Sequence, residues 1–199
     1  SAATGTHDVP HRGEANQLSW RRTWATTDDS DYRLQHAMDL LASIVRIRLL
    51  DELREKLGAA YGASADSDMS SIYPGRGTFT VATNGDPKDL AAIEAAVDAV
   101  MAEVLAAPVS ADLFERARKP RLEAYTDWRK QNGTWAGLTA EAQTDPRRLE
   151  RFRISEQQFR SITADEVWQA AKRMLAGKAS YTFRAIPAKS GGSAVAATE

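Results

Sequence analysis

The stretch Leu53-Arg54-Glu55-Lys56-Leu57-Gly58-Ala59-Ala60-Tyr61 closes a long apolar helix and opens a strand, with an arginine and a tyrosine seven positions apart. Upstream, Leu34, Met38, Leu41, Val45 and Leu49 recur every three to four residues down to Leu57, the period of a helix with one buried face. Asp28, Asp29 and Ser30 offer N-cap side chains for it, and Gly58 supplies its stop. Downstream, Ala60 to Asp68 alternates small apolar and polar residues, which predicts a strand that leaves room for a backbone to approach.

The same reading extends outward. Leu18, Trp20 and Trp24 alternate with polar positions between Ala15 and Thr26, a strand with one buried face. Phe79 and Val81 mark another between Thr78 and Thr83, after the turn Tyr73-Pro74-Gly75. Asp86-Pro87 starts a helix carrying Leu90, Ile93, Val97, Val100, Met101 and Val104. Ser110 caps a further helix that Pro120 is expected to break near Arg118. Asn132-Gly133 interrupts the chain before a short helix with Trp135, another short helix is expected after Ser155, and Thr163-Ala164-Asp165-Glu166 is a capping box. Tyr181, Phe183 and Ala185 alternate in a last strand.

The order β-α-β-β-α, several helices, then β predicts an α+β fold: a mostly antiparallel sheet of four or more strands with helices covering one face. Residues 1–14 carry no periodicity and read as a flexible lead-in, 15–187 as a single domain, and 188–199, rich in Ser, Gly and Ala, as a disordered tail. Because the sequence starts at Ser1 without a signal segment, it is expected to be part of something longer.

With 26 basic and 27 acidic residues, formal net charge is -1, so bulk charge draws the chain to neither nucleic acid nor an anionic membrane. No apolar run reaches the roughly 18 residues of a membrane span. The absence of cysteine removes disulfides, thiolate metal sites and cysteine nucleophiles. Three histidines remain. His7 and His11 sit in the lead-in beside Pro10 and Gly13, and His36 falls off the main apolar stripe of its helix, solvated or packed, so two histidines and a carboxylate do not assemble into a zinc site. Neither a Gly-x-Ser-x-Gly elbow nor a glycine-rich phosphate loop is present. The five tryptophans fit core packing better than base stacking, and Arg147, Arg148, Arg151 and Arg153, interleaved with Glu150, read as a solvated face.

Arg54 and Tyr61 are the candidate site. An arginine at a helix end and a tyrosine past a glycine turn can both donate hydrogen bonds to one carbonyl oxygen and stabilise an oxyanion. The residues alone leave open that Arg54 pairs with Glu55 or another carboxylate and that Tyr61 packs at a strand end.

Leu53-Arg54-Glu55-Lys56-Leu57-Gly58-Ala59-Ala60-Tyr61-Gly62 resembles the Leu-Arg-Glu-x-x-Gly-x-x-Tyr signature of the pitrilysin/insulinase family of inverted zinc peptidases, in the half of those enzymes that does not hold the metal. His11 to Gln17, Asp86-Pro87-Lys88 and Asn132-Gly133-Thr134-Trp135 are similar to other segments of the last domain of long bacterial members. The resemblance implies a half of a clam shell that closes on a peptide substrate, with Arg54 and Tyr61 presented to the scissile carbonyl. It implies zinc on another domain, of the same polypeptide or of a partner chain, and none on this one, since His-x-x-Glu-His does not occur here. On that reading the chain is inactive alone. Long members are often periplasmic, which is the expected compartment. A non-catalytic family member serving as an assembly or peptide-binding scaffold is the alternative, and an unrelated split βαβ ligand-binding domain a third reading.

Overall fold

Alternation along the strands decides which way the sheet faces. The computed structural model describes residues 3–58, 62–140 and 142–188. In strand β2, Leu18–Thr26, Leu18, Trp20 and Trp24 are buried while Ser19, Arg21 and Ala25 face outward. Strand β4, Gly77–Gly85, buries Phe79, Val81 and Thr83, and β3, Ala63–Met69, buries Ala65 and Met69. With β5, Ser180–Pro187, and β1, Gly5–His11, these make a five-stranded sheet of order β1-β5-β2-β4-β3. Among the described residues only the β1–β5 pair is parallel. The sheet is thus mostly antiparallel, and the α+β expectation holds.

Among the described residues six α-helices supply the other layer: α1 Tyr32–Leu57, α2 Leu90–Ala106, α3 Ala111–Trp128, α4 Asn132–Ala140, α5 Arg147–Ser161 and α6 Ala164–Leu175. The central one is α1, whose Met38, Leu40, Ile44 and Leu49 are fully enclosed. It packs on β3 and is flanked by α2, α3 and α6. Polar side chains also tie helices to sheet. Trp20 Nε1 donates to Glu94 Oε1 of α2 at 3.0 Å, Arg184 of β5 donates to the same carboxylate at 2.6–2.9 Å, and Arg22 pairs with Asp98.

Several expectations are corrected. Residues 5–11, placed in a lead-in, form β1: an exposed polar edge strand has no hydrophobic period to announce it, and its partner lies some 170 residues away. Pro10 is tolerated there because an edge strand need not donate every N–H. Pro120 does not break α3. It lies on the exposed face of an unbroken helix, where water can satisfy the carbonyl it releases. The helix expected after Ser155 starts at Arg147, and the N-cap of α1 is Asp31, whose carboxylate accepts from Leu34 N–H at 3.0 Å. The capping box Thr163 to Glu166 forms as expected. Residues 189–199 of the expected tail lie outside the described residues.

Candidate functional site

Arg54 occupies the last turn of α1, on its exposed side, next to buried Leu53. Its own carbonyl accepts the Gly58 N–H at 3.0 Å, and Gly58 adopts the left-handed conformation with φ of 61°. A Cβ there would meet nothing within 4 Å, so the glycine answers to backbone conformation rather than space. The chain then turns toward the sheet edge. Thr83 of β4 donates its hydroxyl to the Gly62 carbonyl at 2.7 Å, which pins the entry into β3.

Among the described residues the Arg54 side chain has no ion-pair or hydrogen-bond partner, whereas neighbouring Lys56 is held by Glu52 at 2.6 Å. The pairing of Arg54 with Glu55 that the residues left open does not form. An exposed, unneutralised guanidinium with five N–H donors and no acceptor is suited to a carbonyl or carboxylate brought from outside. Tyr61 lies outside the described residues.

No group of three or more His, Cys, Asp or Glu among the described residues is arranged to hold a metal ion. The three histidines lie in separate surroundings. The His7 ring stacks on Tyr181 at 4.6 Å between centroids, His11 Nε2 lies 2.9 Å from the Gln17 carbonyl oxygen, and His36 is buried between the rings of Tyr32 and Phe159. These residues do not fit a zinc site. No helix is long and apolar enough to cross a membrane among the described residues.

The far end of α1 carries a second arrangement that sequence reasoning missed. Arg151, expected on a solvated face, pairs with the buried carboxylate of Asp29 and donates to the Asp29 carbonyl at 2.8 Å. Its guanidinium lies 4.9 Å from the centre of the Tyr32 ring. Ser155, fully buried, donates to the Arg151 carbonyl at 2.5 Å, which spends its one proton, so the Tyr32 hydroxyl 2.7 Å away is the donor to Ser155. Burial raises the Tyr32 phenol and that of Tyr125 on α3, the latter to about 12, and keeps both protonated at neutral pH. The signal that could have found this cluster is Phe152, Ser155 and Phe159 at helical spacing behind Asp145-Pro146, a helix start of the same form as Asp86-Pro87.

Beside it, the Asp28 carboxylate accepts the Gly75 N–H and, at 3.0 Å, the Ser30 N–H, which brings its pKa down to about 2. A pKa below the ordinary carboxylate value adds stability that is present above about 4 and lost as pH falls toward 2. Thermal denaturation of Asp28→Asn should therefore show a shallower decline in Tm between pH 4 and pH 2 than the unsubstituted chain. Parallel declines would remove Asp28 as the cause.

Residues 3–120 match the family model described as the peptidase M16 inactive domain. The chain belongs to this family. That is the non-zinc half which the Leu53 to Gly62 signature resembles. Curated proteins provide no match. Among solved structures, the periplasmic protease PqqL from Escherichia coli is similar with a TM-score of 0.74 and 16% identity, over 94% of this chain and 21% of that one. A peptidase M16 inactive domain from Pseudomonas fluorescens has a TM-score of 0.70 and 21% identity, over 95% and 44%. An inactive peptidase domain from Bordetella parapertussis has 0.73 and 19%, over 92% and all of its length. The chain thus spans about a fifth of the first relative and under half of the second. At these identities the likeness concerns the fold of this M16 domain.

Proposed function

We propose that this M16 inactive domain is the substrate-binding half of a zinc endopeptidase, in which Arg54 and Tyr61 donate hydrogen bonds to the scissile carbonyl while zinc is held by another domain. The observation that carries the reading is the Arg54 side chain at the end of α1, exposed and without a partner among the described residues, just ahead of Gly58 in its left-handed conformation. A donor left without an internal partner costs nothing to present to a ligand and is oriented by the helix that carries it. By the same reading the protein shares the periplasmic setting named for PqqL.

The test is peptide hydrolysis by the complete protein carrying Tyr61→Phe or Arg54→Ala. Each should lower turnover by about 100-fold, the usual cost of one oxyanion donor. Arg54→Lys should recover only part, since an ammonium cannot reproduce the planar fork. Unchanged turnover in both variants would sink the catalytic assignment and leave the scaffold role.

A further inference from the structure

A sheet edge offers backbone hydrogen bonds to whatever strand comes beside it, and the two edges of this sheet differ. At one end β1 carries Pro10, a residue with no N–H to give to a further strand. At the other end β3 pairs with β4 through seven consecutive residues, Ala63 to Met69, without a bulge. It contains neither proline nor lysine, the residues that commonly close an edge. Among the described residues no strand lies beyond it, so the alternate N–H and C=O groups that point away from β4 are left without a ladder.

The side chains of β3 select which strand fits. Ala65 and Met69 are buried on the face against α1, and Ser64, Asp66 and Asp68 stand exposed on the opposite face. Neither carboxylate has an ion-pair or hydrogen-bond partner among the described residues, and the residues opposite them on β4, Thr80 and Thr78, carry no charge. Two residues apart on one face, the aspartates are separated by about 7 Å along the strand. Side chains two apart on a neighbouring strand have the same spacing, so two cations there meet both carboxylates. A second copy of β3 laid antiparallel would instead bring aspartate against aspartate, which is destabilising. The edge is thus closed to itself and open to a basic strand.

Position joins this edge to the candidate pair. Gly62, whose carbonyl Thr83 holds at 2.7 Å, separates Tyr61 from the first residue of the strand, Ala63. Arg54 lies in the last turn of the helix that packs against β3. We infer that the outer edge of β3 takes an extended segment of the peptide substrate as a further strand, with basic side chains two residues apart set against Asp66 and Asp68. Backbone pairing holds such a segment whatever its sequence, and the aspartate pair adds the preference for cations. The ligand, a peptide, is taken from the proposed function, while the pairing is tested apart from turnover.

The probe is a fluorescently labelled peptide of about nine residues whose two lysines are separated by one residue, bound to the complete protein and followed by anisotropy. It should bind about fivefold more tightly than a peptide of the same composition with adjacent lysines, which point to opposite faces of a strand. Asp66→Asn together with Asp68→Asn should weaken binding about tenfold and erase that preference, with Tm unchanged because both side chains are exposed. Methylating the backbone nitrogens of alternate residues gives two further peptides, one blocked on the side that faces β3 and one on the side that faces away. Affinity should survive in one frame and fall at least about tenfold in the other. Equal affinities in the two frames, whether retained or lost, would overturn the inference, and so would equal affinities for the two lysine spacings. Hydrogen exchange locates the contact: amides of 63–69 that point away from β4 should slow when the peptide is added. If they are already slow without peptide, another part of the polypeptide covers the edge, and if they slow with protein concentration alone, the edge is a homodimer seam; either result overturns the inference. If Arg54→Ala leaves turnover intact while the frame and spacing preferences hold, the strand site stands and the catalytic reading falls. If turnover falls and the preferences are absent, the strand site alone is lost.

Discussion

Trp20→Ala should cost the domain about 3–5 kcal/mol in urea denaturation, the upper range for truncating a buried aromatic residue. Trp20 is fully enclosed in β2, the strand flanked by β4 and β5, and its ring also receives the Arg22 guanidinium at 5.1 Å. Two effects combine. Removal of the ring leaves a cavity that strands held on both sides cannot collapse to fill. The Glu94 carboxylate also loses the indole N–H at 3.0 Å and keeps Arg184 as its remaining donor on the sheet. Trp20→Phe separates the two, since it retains most of the apolar surface and forfeits the hydrogen bond, at about 1–3 kcal/mol. A loss below about 1 kcal/mol for the alanine variant would contradict the packing described for β2.

Arg151→Ala should be comparably damaging, at about 3–5 kcal/mol, because it strands the Asp29 carboxylate in a site where that side chain is only 8% exposed. The attraction between the two charges is largely offset by the cost of taking both out of water. Breaking the pair from one side is what is expensive. The double substitution Asp29→Asn with Arg151→Met should therefore recover most of the loss, and a double-mutant cycle measures the coupling directly. Additive effects of the two substitutions would show that the pair is not acting as a buried unit. Because Arg151 also lies against Tyr32 and ties α5 to the start of α1, the single variant should expose the backbone of 147–153 to exchange before global unfolding.

Much of the fold was legible because its elements have one apolar face. Trp20 and Trp24 alternating with polar neighbours, Leu34 to Leu57 at helical spacing, and the capping box from Thr163 to Glu166 each state a local preference that burial then reinforces. Where no face is apolar, the pattern is silent. β1 is exposed along almost its entire length, so Gly5–His11 reads like a loop although it pairs with β5 through seven residues. Proline misled at Pro120, which was expected to break a helix that carries it on its wet side.

The candidate site divides along the same line. Arginine and tyrosine at fixed spacing around Gly58, the lack of a His-x-x-Glu-His motif, and membership of the M16 inactive-domain family are properties of the linear chain, since each depends on residues close together or on composition. Whether Arg54 is neutralised by a neighbour is not, because a carboxylate from any part of the chain could have reached it, and none among the described residues does. Nor could the chain order reveal that Arg151 is paired with buried Asp29, 122 residues earlier, while Arg54 is left to the solvent. Local sequence sets what a side chain can donate. Only the packing of distant segments decides which donors are consumed inside the protein and which remain for a partner.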